Sequence, residues 1–207
     1  MTKVLVLYVE AGHGHRKAAE AIANEIKSRR NEGIYVEVGD ALAKTNHLFR
    51  YCYPRIYHRL VVWVPWLWGL FYHFTNVPWM YRLLAPLRSL WNMIQSGALR
   101  RYLKKEQFDV IAFTHFFAAE ICATLKRKRI ISAQLITVVT DVIPHAVWQN
   151  PGTDHYWVMA DESLDVLVQR GVPASHIYPK GIPISQAFLK TSDQSFLKNQ
   201  LDLQPNR

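Results

Sequence analysis

The chain has 207 residues, half of them hydrophobic, enough for one large domain or an ordinary one with an insertion around a sizeable core. Its 25 Lys/Arg against 16 Asp/Glu give a formal charge of +9. The excess sits in one place. From Ala41 to Lys105 there are ten basic residues and no carboxylate, whereas the rest of the chain holds 15 basic and 16 acidic groups. Such a segment seeks a polyanion. Cys52 and Cys122 lie far apart, which excludes a disulfide framework and fits a reducing compartment. The N-terminus reads as a strand with no charged n-region or cleavage site, so no secretory signal is expected.

Residues 4–9 form an unbroken aliphatic and β-branched run, as in a parallel strand covered on both faces. In the turn that follows, Gly12 and Gly14 let the backbone bend sharply and let a ligand come close. From Arg16 a helix is expected, with Ala19, Ile22, Ala23 and Ile26 spaced by three and four. Its N-terminus suits an anionic or hydroxyl-bearing ligand. His13 and His15 add side chains that exchange protons near neutral pH. A glycine turn after the first strand also occurs where no chemistry is done. Lys17 stands where the dinucleotide fingerprint needs its third glycine, and the P-loop pattern is absent. With no cysteine nearby and no H-x-x-x-H spacing, no metal site is expected.

Residues 34–38 alternate as a second strand, with Asp40 at its end, and a βαβ start predicts a parallel sheet. Within the acid-free segment, residues 60–72 are the most apolar part of the chain. They are too short to span a bilayer, which needs about 20 residues, and Pro65 and Gly69 interrupt them. Tyr51, Tyr53, Tyr57, Trp79, Tyr81 and Trp91 stand around this run. Aromatic, aliphatic and basic residues without carboxylates fit an element lying in an anionic membrane interface. The contact residues expected are Arg55, Arg59, Trp63, Trp66, Trp68, Phe71, Trp79 and Arg82. The alternative is that these aromatics are core between helix and sheet. A continuous Trp/Leu/Val run is not a nucleic-acid stacking platform.

Residues 89–105 read as helical, with Leu90, Met93, Ile94 and Ala98 on one stripe. A strand at 108–114 brings His115 to its C-terminal end, where ligands gather in open α/β sheets. A helix at 116–128 ends in basic residues suited to its negative pole. A buried strand at 134–140 runs into Asp141, then His145 and Trp148. Then come a strand at 156–159, a helix at 162–170 closed by Gly171 and Pro173, and a short strand leading into the turn at 181–184. Residues 191–207 are polar and read as a linker or frayed helix. The pattern is one open α/β domain without internal repeats.

The turn Gly12, His13, Gly14, His15 and Arg16 with residues 18–22, the strand end 137–141 with His145 and Trp148, and the turn 181–184 together resemble one family. It is the monogalactosyldiacylglycerol synthase and processive diacylglycerol glucosyltransferase group of GT-B glycosyltransferases. The resemblance covers nearly the whole chain in order. It implies an α/β, Rossmann-like, mostly parallel sheet, the N-terminal acceptor domain of a GT-B fold (1–190), with a membrane-associating helical insertion (about 41–105). Residues 191–207 then lead towards a C-terminal UDP-sugar domain that has no counterpart here, so the chain is either a piece of a longer protein or a short protein keeping only this half. The implied function is the acceptor half of an inverting transferase, moving a hexose from a UDP-sugar to diacylglycerol or a similar lipid alcohol. It would be peripheral, on the cytoplasmic side of a membrane, with no cofactor, no metal and no nucleic-acid partner, and inactive without the donor half. By resemblance His15 is the general base, Gly12, His13 and Gly14 give the acceptor room, and Asp141, His145 and Trp148 lie near the cleft. Asp141 either orients a histidine or makes a turn; Trp148 either packs or touches ligand. Two other readings are a non-catalytic membrane lipid-binding module and an epimerase-type domain of the same fold.

Overall fold

A computed structural model describes residues 1–10, 13–29 and 33–188. Gly12 and the expected linker at 191–207 lie outside the described residues. Six strands form a parallel sheet in the order β2-β1-β3-β4-β5-β6. They are β1 Thr2–Tyr8, β2 Ile34–Asp40, β3 Val110–Phe113, β4 Gln134–Val138, β5 His155–Val158 and β6 Ile177–Pro179.

The apolar run of β1 is explained by its cover on both faces. Leu5 and Leu7 enter the core built around helix α6 (Phe116–Arg127), while Val4 and Val6 meet Ala19 and Ala23 of helix α1 (His13–Ser28) on the other side. The buried residues of α1 are alanines 18, 19, 21 and 23, so the helix lies close on the sheet. It begins earlier than expected. His13, Gly14 and His15 form its first turn, and Gly14 needs no left-handed backbone.

The insertion consists of α2 (His47–Trp63), α3 (Pro65–Asn76), α4 (Pro78–Gln95) and α5 (Gly97–Glu106). Pro65 and Pro78 open α3 and α4, where a missing N–H costs nothing. α6 is buried along residues 117–125, between the sheet and this insertion. The contact with α4 is polar. Arg88 Nε donates to Glu120 Oε2 at 2.9 Å, Asn92 Nδ2 donates to the same oxygen at 2.8 Å, and Arg88 also donates to the Tyr81 hydroxyl at 2.7 Å.

That contact corrects two expectations. The helix over 89–105 is two helices parted at Ser96, and most of its apolar stripe faces outward, although Met93 packs against the core. Leu90 and Ile94 are about three-fifths exposed, whereas Asn92, Gln95, Leu99 and Leu103 are buried. Helix α7 (Asp161–Gln169) closes a second core of Val139, Trp148, Tyr156, Val158 and Leu167. No helix among the described residues is long and apolar enough to cross a membrane.

Candidate active site

The chain steps from β1 outward to β2, then crosses back over β1 to β3. Strand order reverses there, and the crevice beyond the C-terminal ends of β1 and β3 is where open α/β sheets bind ligands. His15 reaches this place from the first turn of α1, Thr114 and His115 from the end of β3, and Thr140 and Asp141 from beyond β4.

His15 Nδ1 lies 2.7 Å from the Thr114 carbonyl and 3.0 Å from Thr140 Oγ1. A carbonyl only accepts, so Nδ1 carries the proton and Nε2 keeps its lone pair. No described residue hydrogen-bonds that Nε2. Thr114 Oγ1 donates in return to the His15 carbonyl at 2.8 Å, clasping strand end to helix start. Burial lowers the His15 pKa from its ordinary value, against the upward pull of the Thr114 carbonyl and the Asp141 charge. The ring is therefore neutral at pH 7, the form that accepts a proton.

His115 sits edge-on to His15, with ring centroids 4.7 Å apart. It caps α6, its Nδ1 accepting from the Phe117 N–H at 3.1 Å, and burial drives its pKa well below the usual value. Asp141 accepts from Trp148 Nε1 at 2.7 Å, and Trp148 is 1% exposed, its ring 6.4 Å from His15. Trp148 thus packs rather than presenting a face to ligand. The group that orients His15 is the Thr114 carbonyl, while Asp141 acts on it through charge alone.

His145 is also committed within the fold. Its Nδ1 accepts from the Val147 N–H at 3.2 Å and its Nε2 donates to the Tyr72 carbonyl at 2.9 Å, with the ring 4% exposed. It is a strut to α3, with no ring nitrogen left for an acceptor. His13 and Gly14 are exposed at the start of α1, and a Cβ on Gly14 would meet nothing within 4 Å.

Of the expected interfacial residues, Trp63 is 78%, Trp66 71%, Trp79 65% and Phe71 53% exposed, and Arg55, Arg59 and Arg82 are exposed too. Trp68 differs. It turns inward against Tyr57, ring centroids 5.1 Å apart, and lines an apolar groove of about 460 Å³ with Phe49, Tyr53 and Leu60. Tyr53 and Tyr81 also turn inward, so the aromatics divide between core and surface. Among the described residues there is no group of three or more His, Cys, Asp or Glu that could hold a metal ion. Sequence reasoning missed Thr114 and Thr140 and gave His115 only a place; their signal is a polar residue at the C-terminal end of a buried strand.

A family model described as monogalactosyldiacylglycerol (MGDG) synthase matches residues 15–184. A processive diacylglycerol beta-glucosyltransferase of Staphylococcus epidermidis is 25% identical over 99% of this chain and 50% of its own length. One of Bacillus cereus is 27% identical over 99% of this chain and 51% of its own. The chain therefore spans about half the length of the curated relatives it matches. The Anabaena protein Alr3699/HepE, solved in complex with UDP, superposes on 97% of this chain and 50% of its own, with a TM-score of 0.50 at 15% identity. That likeness concerns the fold alone, a Rossmann-like sheet matching half of the Anabaena chain.

Proposed function

The chain belongs to the monogalactosyldiacylglycerol synthase family, and from that premise we propose that it is the acceptor-binding, membrane-associating half of an inverting UDP-sugar glycosyltransferase whose acceptor is diacylglycerol. The observation that carries this reading is the His15 tautomer. The Thr114 carbonyl holds the Nδ1 proton, burial keeps the ring neutral, and Nε2 is left as a base at the strand-order reversal. In the proposed step Nε2 takes the proton of the acceptor hydroxyl. Its oxygen attacks the anomeric carbon from the face opposite the diphosphate, and the bond from that carbon to the phosphate oxygen breaks. The donor would be held by a second half such as the relatives' extra length provides.

Membrane association is the other part of the proposal. The exposed Trp63, Trp66, Phe71 and Trp79 would enter the headgroup region while Arg55, Arg59 and Arg82 reach phosphates. A module that only bound membranes would not need the histidine clasp, which favours the enzymatic reading. In a protein carrying both halves, His15→Gln should lower transfer by roughly 10²–10⁴-fold with folding unchanged. Near-normal turnover defeats the base assignment. Failure of the chain to cosediment with anionic liposomes defeats the membrane part.

A further inference from the structure

A cavity of about 620 Å³ opens between α4, α6 and the loop after the 3-10 turn Ala146–Trp148, lined by none of the residues around His15. Five cations border it, Arg82, Arg88, Arg127, Lys128 and Arg170, against one carboxylate, Glu120. Glu120 is already engaged by Arg88 and Asn92. Arg127 and Lys128, at the C-terminal end of α6, answer that helix's negative pole. Arg170 follows α7 as its C-cap, but its guanidinium is turned to the loop beyond β4. It is partly buried, it donates to the Pro144 carbonyl and to Asn76 Oδ1, and no described carboxylate pairs with it. Burial lowers its pKa, as expected of a cation held without a counter-charge.

A cavity with this charge excess fits an anion, and guanidinium groups match phosphate oxygens in shape as well as charge. Its rim identifies what carries the phosphate. Pro86 and Leu90 form an apolar wall. Beyond it the outward face of α4 presents Trp79, Leu83, Leu87, Leu90 and Ile94 at helical spacing, each between 60% and 68% exposed. A cationic hollow beside an apolar ridge matches an amphiphile better than a soluble anion. We propose that this cavity holds the phosphodiester of an anionic phospholipid on Arg127, Lys128 and Arg170, with its acyl chains along the α4 ridge. The proposal rests on the membrane part of the preceding reading and not on His15.

The test is titration of monomeric dihexanoylphosphatidylglycerol into the isotope-labelled 207-residue chain, followed by NMR. Inorganic phosphate and dihexanoylphosphatidylcholine are the comparison probes. The expected result is one saturable set of shifts at Arg127, Lys128 and Arg170, at least tenfold weaker with either comparison probe. The exposed pair Arg127→Gln with Lys128→Gln should weaken it about 30-fold while leaving the rest of the spectrum in place. Absence of a saturable shift at these residues overturns the proposal. So does an equal response to inorganic phosphate, which would make the site one for a soluble anion, or an equal response to the zwitterionic lipid. If the chain sediments with phosphatidylglycerol vesicles while these signals stay still, the cavity assignment falls and the membrane reading stands. If the cavity saturates but vesicles are not bound, the reverse holds.

Discussion

Glu120→Gln tests whether the insertion is locked to the sheet by charge. The Glu120 side chain is 8% exposed and that of Arg88 25%, with 2.9 Å between the paired atoms. Removing one member of a buried pair typically costs about 3–5 kcal/mol, because the other charge is stranded. Arg88 retains the Tyr81 hydroxyl and some access to water, and glutamine can still accept from Asn92, so about 3 kcal/mol is expected. The double variant Glu120→Gln with Arg88→Met removes the stranded charge and should recover part of the loss. That leaves a coupling of about 2 kcal/mol in the double-mutant cycle, read from urea denaturation of the four proteins. A coupling below about 0.5 kcal/mol would refute the argument, since it would mean that apolar contacts alone hold α4 on α6.

Gly14→Ala should leave stability unchanged or raise it by up to about 1 kcal/mol, because the new methyl meets nothing and helix propensity improves. In a protein with both halves it should nevertheless slow transfer; unchanged turnover would show that the space is not the acceptor's. Acid should destabilise the domain early. Burial is the leading cause lowering the pKa of His15, His115 and His145, so as pH falls below about 6.5 the unfolded chain takes up protons first. Stability is complete above that point and declines towards each folded-state value, with His115 contributing up to about 1.4 kcal/mol per pH unit. Urea midpoints from pH 8 to 5 read this, and His115→Asn, which can keep the α6 cap, should flatten the slope. A flat wild-type profile contradicts it. Trp63→Ser with Trp66→Ser, both exposed, should reduce liposome cosedimentation several-fold with an unaltered urea midpoint, and undiminished binding would remove the α2–α3 face from the interface.

The strands were legible because a parallel strand covered on both faces is apolar along most of its length: residues 4–9 are so throughout, and 134–140 are aliphatic except at Gln134, Thr137 and Thr140. The outer helices were legible as helices but not in orientation. In α4 the inward face mixes polar Arg88, Asn92 and Gln95 with Met80 and Met93, while the outward Leu83, Leu87 and Ile94 are apolar, so a rule that puts apolar stripes inside misplaces most of the helix. His15 was visible because glycines flank it. Thr114 and Thr140 were not, since they meet its ring across 99 and 125 residues and no local pattern encodes that. His145 was expected near the cleft, and a histidine after a strand looks the same in sequence whether it faces a ligand or braces a helix. Only its bond to Tyr72, 73 residues away, decides.

Topology explains why exposed tryptophans and a candidate base share one end of the sheet. The connection from β2 to β3 must cross β1, and here the crossing is four helices long. Its second helix, α3, is tied directly to the loop beyond β4. His145 Nε2 donates to the carbonyl of Tyr72 in α3, and Asn76 Oδ1 at the end of α3 accepts from the Ala146 N–H at 2.9 Å and from Arg170 at 2.8 Å. The same loop carries Asp141 and Trp148, whose ring backs His15. These bonds hold α3 against the loop that walls the His15 crevice, so the exposed tryptophan face and the crevice are fixed to one piece of backbone. His145, with both ring nitrogens engaged, is one of the bonds that makes that attachment.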